Sequence, residues 1–592
     1  MKLRSLFRSA FFSSSRGTLD LSSRPERSGV EGPASRLARR VLSLCFCAAS
    51  LLPAQQKGVA PADLTKPLEK SWTTYNGDYT AKRYSPLAQV NRQTVDHLSM
   101  AWSSRLVAGD PTQASGGNAP RGLVPFETGG EGPGNLNIGA GNIKGSALVV
   151  DGTIYMSLPD NAWAMDARDG HLLWHYFWKT KGGTHIANRG MGMWNGYLFM
   201  ETPDNYVVSL DAKTGKERWH RKIADVEQGY FSTAAPLVIH NHVLVGVGND
   251  IDSPGFLQSF DPETGDLQWK FYTVPQQKGD PGADTWSNLD AARHGGGQTW
   301  MTGAYDPETD LYIFGTGNPT PAYTTGKRGP GDNLFTCSLI ALKVDSGKMA
   351  WYFQTSPHDM HDYDSAQVPV LFDAMWKGKP RKLVSTAARN GYFFTLDRVT
   401  GEHLVTKAYG LTTNWAKGTV PAGGPKHDPE KDSTIAGSLV SPNSGGTVNW
   451  EPPAFSPLTN LLYTYELNTF SINYLTDPDP RGSMGLGGKE EIYLGDVGSY
   501  LTAIDYKTGE AKWRHKFYSN RSGGGGLLAT AGGLIFTGDG AGNLAAFDQV
   551  DGKPLWGARI GSVSNAPQTF QLDGQQYILA AAGDTMWAFV LN

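Results

Sequence analysis

The sequence predicts an all-β fold, an eight-bladed β-propeller of four-stranded antiparallel blades, and three observations carry that prediction. The first is a repeat that runs the length of the chain: AMDARDGHLLW (164–174), SLDAKTGKERW (209–219), SFDPETGDLQW (259–269), ALKVDSGKMAW (341–351), TLDRVTGEHLV (395–405), AIDYKTGEAKW (503–513) and AFDQVDGKPLW (546–556). The second is the strand pair before each unit, such as SALVVDGTIYMSLPDN or APLVIHNHVLVGVGND, which makes four strands at intervals of roughly 45–55 residues. The third is the last unit, QTFQLDGQQYILAAAGDTMWAFVLN, which lacks an outer strand. LSMAWSSRL at 98–106 supplies that strand and closes the ring between the termini.

The Asp of these units can bond the backbone N–H groups of a turn, and the Gly takes the φ > 0 position that closes the hairpin. The Trp four residues beyond it stands at a fixed place on the next strand, where a large flat ring fills the seam between successive sheets. Longer intervals near 343 and 505 place insertions in blades four and six. Seven blades, or an open solenoid, are the alternatives, and the N-terminal strand that completes the last unit favours closure.

The chain has 592 residues, 39% hydrophobic and 18% charged, enough for a large core. A net charge of −3 and the lack of a basic stripe after residue 55 give no electrostatic footprint for nucleic acid. Residues 1–55 read as a signal or targeting region. RLARR (36–40) is basic, VLSLCFCAASLL (41–52) is a short apolar run, and PAQQ (53–56) places cleavage near residue 54. That run is shorter than the ~20 residues a membrane span needs. Residues 1–35 are long for such a segment, which points to a later start codon, and Arg39–Arg40 is a weak twin-arginine signal. The expectation is export to the periplasm, with 56–97 an N-terminal extension and 98–592 one propeller. Cys45 and Cys47 would leave with the signal, so Cys337 would stand alone without a disulfide; no CxxCH haem site occurs.

The repeat resembles the tryptophan-docking motif of quinoprotein dehydrogenases, eight-bladed propellers that bind pyrroloquinoline quinone (PQQ). SWTTYNGDYTAKRYSPLAQVNRQTVDHLSMAW (71–102) is similar to that family's N-terminal signature. The likeness is specific again at GGGQTWMTGAYDP with GTGNPTP, at SPHDMHDYDSAQVPVL and at ARNGYFFTLDRVTG. It implies fold and cofactors together: PQQ with Ca2+ or a lanthanide ion.

The resemblance also implies roles. Trp300 matches the indole beneath the quinone and lies outside the repeat position. Asp250 and Asn318 match metal ligands of the oxygen type that hard cations take, although the family usually has Glu where Asp250 stands. Taken alone, both are ordinary turn residues. In HDMHDYD (358–364), Asp362 matches the catalytic base of the family's HDxWD pattern, with His361 in place of Trp. His358 and His361 do not form a zinc site, because no third and fourth ligands follow at suitable spacing. If the segment is extended, Asp362 and Asp364 share a face and reach one ion. An Asp at position 364 marks the lanthanide-using branch of the family; the alternative is a solvated strand-end carboxylate. Arg189 and Arg389 match residues whose planar forks bind the cofactor's carboxylates, Thr233 matches a hydroxyl donor, and Asn449 and Trp450 match further in-plane contacts.

Three departures bear on the upper face of the cofactor site. Gly183 and Thr184 stand where the family has an adjacent Cys pair, Lys144 replaces a Glu, and His361 is expected to alter the substrate wall. The implied function is periplasmic oxidation of a small alcohol or polyol, with Asp362 as base and a metal polarising the quinone. A separate cytochrome c or quinone-linked acceptor would then take the electrons. The alternative is a non-catalytic Trp-docked propeller, a scaffold or binding module, which has no need of acids and arginines converging on one mouth.

Overall fold

Turn chemistry at the repeat builds the blades as anticipated. Asp211 Oδ1 accepts from the Thr214 N–H at 2.8 Å, and Asp397 Oδ1 accepts from Val399 and Thr400 N–H at 3.0 Å each. The structure, a computed structural model, describes residues 58–107, 126–132, 141–476, 488–517 and 525–592. The targeting region 1–55, its cleavage point and Arg39–Arg40 lie outside the described residues.

Among the described residues, eight sheets each contain four antiparallel blade strands. The first blade is Leu148–Val150, Thr153–Leu158, Asn161–Asp166 and Leu172–Trp178. Six more follow, with outer strands Glu217–Lys222, Leu267–Tyr272, Lys348–Gln354, His403–Ala408, Ala511–Lys516 and Pro554–Arg559. The last blade takes Gln568–Leu572, Gln575–Ala582 and Thr585–Leu591 from the C-terminus and Leu98–Arg105 from the N-terminal side. These last two strands run antiparallel, Leu98 opposite Leu591 and Arg105 opposite Thr585. Side chains of the seventh, eighth and first blades share one apolar cluster, so the ring is closed and neither a solenoid nor a seven-bladed count survives.

The repeat Trp residues stitch neighbouring blades. Trp174 Nε1 donates to Ala212 O of the second blade at 3.0 Å, Trp269 Nε1 to Val344 O of the fourth at 2.8 Å, and Trp351 Nε1 to Arg398 O of the fifth at 3.1 Å. Trp102, on the N-terminal strand, does the same for the last seam by donating to Ala167 O at 3.2 Å. Each of these four rings lies on the turn glycine of the next blade. At Gly215 (φ +75°) a Cβ would meet the Trp174 ring at 2.7 Å, so glycine is required there both by backbone conformation and by space. Val405 breaks the series: at the corresponding turn glycine, Gly509, a Cβ would meet Lys407 Cβ at 2.5 Å instead of an indole, and Phe372 stacks on Phe455 in the same apolar cluster, ring centres 4.1 Å apart.

The insertions fall where the repeat spacing stretches. Residues 316–337 leave the fourth blade between its second and third strands, and 409–453 separate the fifth and sixth. The sixth blade's central strands, Leu461–Leu475 and Lys489–Asp505, are far longer than the others. Residues 58–97 bind across blades: Trp72 and Val149 exchange backbone hydrogen bonds at 2.9 and 2.8 Å. The buried Arg83 donates to Leu527 O at 2.8 Å and Pro567 O at 2.9 Å.

Candidate active site

All ten residues given a catalytic, metal or cofactor role in the sequence line one cavity of about 790 Å3. They come from eight separate segments of the chain: Arg189, Thr233, Asp250, Trp300, Asn318, Asp362 with Asp364, Arg389, and Asn449 with Trp450. Connections between blades and the insertion of blade four carry most of them, because strand ends and their loops are what a propeller turns toward its mouth.

One side of the cavity is acidic. Arg389 bridges two carboxylates, Nη2 to Asp362 Oδ2 at 2.9 Å and Nη1 to Asp364 Oδ2 at 2.8 Å. Asp364 also accepts the Asn318 backbone N–H on Oδ1 at 2.6 Å and Trp300 Nε1 on Oδ2 at 3.0 Å. It is therefore buried and held from three directions, which removes the alternative of a solvated strand-end carboxylate. Asp362 is also reached by the Tyr323 hydroxyl at 3.3 Å. Burial, and then the neighbouring carboxylates of Asp364, Asp359 and Asp250, hold Asp362 well above the usual carboxylate range against the pull of Arg389. Burial and Asp364 push Asp250 up to about 7, and it has no hydrogen-bond or ion-pair partner among the described residues. The Asn318 amide nitrogen is engaged by Pro319 O at 2.9 Å, which leaves its carbonyl oxygen as the free group.

The other side is cationic. The Arg189 guanidinium lies 4.8 Å from the Trp300 ring and 5.7 Å from Trp450, and Nη1 donates to Thr233 O at 3.3 Å. The Lys144 ammonium is 6.0 Å from the Trp450 ring. Thr233 Oγ1 donates to Trp300 O at 3.3 Å, and Asn449 Nδ2 to Gly445 O at 3.0 Å. Burial pushes Arg189 down to about 10, and burial followed by Arg189 lowers Lys144.

These charges test the fit to an anionic ring and a cation. Lys144 and Arg189 face Glu451, and Arg189 also feels Glu201, which burial pushes up to about 8 toward its neutral form, so this side has positive charge to spare. Asp250, Asp362 and Asp364 face a single guanidinium, so the opposite side has negative charge to spare. Trp300 lies between them, with Arg189 over its face and Asp364 on its Nε1. A flat polyanion beside a hard cation meets both excesses, and the residues present fit the pair. Among the described residues no group of three or more His, Cys, Asp or Glu side chains is drawn together as a preformed ion cage. The acids are instead tied to Arg389, Asn318 and Trp300.

Two expectations need correction. Residues 359–366 are not a strand, and Asp362 has φ +64°, so the two-residue alternation does not explain why Asp362 and Asp364 face one cavity. Asp359 turns the chain by accepting the N–H groups of Asp362 at 2.9 Å and Tyr363 at 3.2 Å. His361 does not line the cavity. It stacks on Tyr363, bonds Lys431 O through Nε2 at 2.9 Å, and burial pushes it down to about 4, so it is a neutral core residue. Sequence reasoning missed Tyr323 and Glu451. Both adjoin recognised motifs, Tyr323 just past GTGNPTP and Glu451 directly after Trp450, and only packing shows that they reach the cavity or its charges.

A closed propeller with an indole between a cationic and an acidic wall defines a class, oxidoreductases that use a quinone cofactor with a metal ion. Residues 72–408 match the family described as "PQQ: Glucose/ethanol/alcohol dehydrogenase, beta-propeller domain", and the chain belongs to that family. Residues 497–591 match a second family, described as outer membrane protein assembly factor BamB. The quinohemoprotein alcohol dehydrogenase ADH IIB of Pseudomonas putida is 32% identical over 576 residues, 92% of this chain and 78% of that protein. The quinoprotein alcohol dehydrogenase PedH of P. putida is 31% identical over 85% of this chain and 84% of its own. Two solved structures share the fold at 27% identity. The quinohemoprotein alcohol dehydrogenase of Comamonas testosteroni has a TM-score of 0.77, covering 90% of this chain and 82% of that one. A europium-containing methanol dehydrogenase has a TM-score of 0.76, covering 90% and 99%. The chain is thus a PQQ-dependent oxidoreductase of the alcohol dehydrogenase type, and the scaffold alternative falls. Among the described residues no helix is long and apolar enough to cross a membrane.

Proposed function

We propose that the chain oxidises a small alcohol or polyol with Asp362 as the general base, in the periplasm, and passes the electrons to a separate cytochrome c or quinone-linked acceptor. The observation that carries this reading is the convergence of ten residues from eight segments on one cavity with separated charge. Asp250, Asn318, Asp362 and Asp364 would hold the metal, and Arg189, Thr233, Trp300, Arg389, Asn449 and Trp450 the quinone. PQQ and its cation, when bound, supply an electrophilic acceptor for the hydride that leaves the substrate carbon.

Asp362 takes the hydroxyl proton on its carboxylate: burial raises its affinity for that proton, while the Arg389 guanidinium favours the ionised form that a base needs. Arg389 fixes the angle of that carboxylate, and Tyr323 holds it from a second side. Asp362, Asp364 and Arg389 are each buried, which limits their own contact with bulk water. An N-terminal export region at 1–55, a connecting extension at 56–97 and a catalytic propeller at 98–592 are consistent with this location.

The test is alcohol-dependent dye reduction by the purified chain with PQQ and either Ca2+ or La3+. The expected result is turnover that falls about 10²–10⁴-fold in Asp362→Asn while quinone binding persists. Asp364→Ala should abolish the La3+-supported rate selectively. Failure to bind PQQ under either ion would overturn the reading.

A further inference from the structure

We propose that Lys144 is a ligand of a cofactor carboxylate and that the same ammonium holds Ile186 in place as an apolar cover over the cofactor ring. The inference rests on the PQQ reading above and concerns residues outside the ligand set already assigned.

Lys144 and Ile186 both line the cavity. Lys144 Nζ donates to Ile186 O at 3.0 Å, which uses one of the three donors an ammonium carries and leaves two for an anion. Its charged neighbours are Arg189 and Glu451, and Glu451 is the one carboxylate the two cations share; the Glu201 that Arg189 also feels is pushed by burial up to about 8, toward its neutral form. Arg189 is only 5% exposed, and its Nε is buried without a hydrogen-bond partner. Buried donors left this way call for an acceptor, and a carboxylate reaching this wall meets both Lys144 and Arg189.

Ile186 is 48% exposed, a large aliphatic side chain directed into a polar cavity. The loop that presents it is fixed at several points. Lys181 N–H bonds Asp204 Oδ2 at 2.9 Å, and His185 Nε2 pairs with the buried Asp160 Oδ2 at 2.6 Å. Asn188 Oδ1 accepts from Ser157 Oγ at 2.7 Å. Gly183, at φ +86°, passes so close to Pro203 that a Cβ would lie 2.1 Å from its carbonyl oxygen. A rigid loop with one exposed aliphatic group is a surface against which a flat ring packs and sheds water. Lys144 and the Gly183–Thr184 pair, two of the sequence departures, therefore belong to one structural unit, the loop and the side chain that fastens it.

The experiment is equilibrium binding of PQQ to the full chain, read by tryptophan fluorescence quenching without substrate, with thermal melting as the fold control. Lys144→Met should bind PQQ about ten- to a hundredfold more weakly, the range for one charge-assisted bond. Lys144→Gln keeps a donor for Ile186 O but not the charge, and should lose about tenfold, while Lys144→Arg should stay within about threefold of the parent. Ile186→Gly should weaken binding about tenfold and Ile186→Leu leave it unchanged. Parent-like affinity in Lys144→Gln would overturn the ligand role, whether or not Lys144→Met folds, and parent-like affinity in Ile186→Gly would overturn the cover. A parent chain that binds no PQQ would instead overturn the function proposed above.

Discussion

Asp250 faces two further buried carboxylates with no partner of its own, and a group in that position is paid in protons when no cation is near. With its pKa pushed up to about 7, the folded chain binds a proton there that the unfolded chain releases near the ordinary value of 3.8. The sign follows: without a cation, this group's contribution to stability is present at low pH and is lost as pH rises toward 7. A cation needs the ionised form, so metal affinity should strengthen between about pH 6 and 8, with a proton released on binding. Titration calorimetry in two buffers of different ionisation enthalpy measures both effects. Asp250→Asn should weaken binding and remove the part of the proton release that depends on this pH range; an unchanged release would assign it to other groups. Asp364 differs only in its company, for the Asn318, Trp300 and Arg389 donors oppose what burial does to it.

At the scale of an element, the docking tryptophans do the work of a mortise. Trp174 is 2% exposed, packs on Gly215 and bonds Ala212 O, so it joins two blades by apolar area and by a hydrogen bond. Trp174→Ala should cost about 3–5 kcal/mol, as large-to-small changes in a packed core do. Denaturant unfolding of the full chain checks this, and a loss below about 1 kcal/mol would mean that the seam repacks around the gap. The repeats made these elements legible, since Asp, Gly and Trp at fixed offsets each encode one local requirement. The segment at 358–364 was not legible in the same way. Its carboxylates share a cavity because Asp359 caps a turn and Arg389, 25 residues beyond Asp364, reaches back to clamp it. Neither contact has a periodic signature. His361 shows the converse, a residue in a catalytic motif whose side chain packs into the core beside Lys431.

For the whole molecule, closure is the decisive event. The strand Leu98–Arg105 covers the edge of Thr585–Leu591 and brings Trp102 to the last seam. Removing residues 98–105 should expose that edge and open the ring, giving aggregation and loss of a cooperative melt, as light scattering and calorimetry would detect. A monomeric, cooperatively melting truncation would show that the other seams suffice.

The sequence by itself determined the blade repeat and the closing strand, because period and turn chemistry are local properties of the chain, and its motifs named ten of the residues that line the cavity. Only the tertiary structure decided how the charges divide, with Lys144 and Arg189 against Glu451 on one wall and three aspartates against Arg389 on the other. The reason is physical. Burial and the distance between segments far apart in the chain set the strength of each charge, and both come into being only when the ring closes.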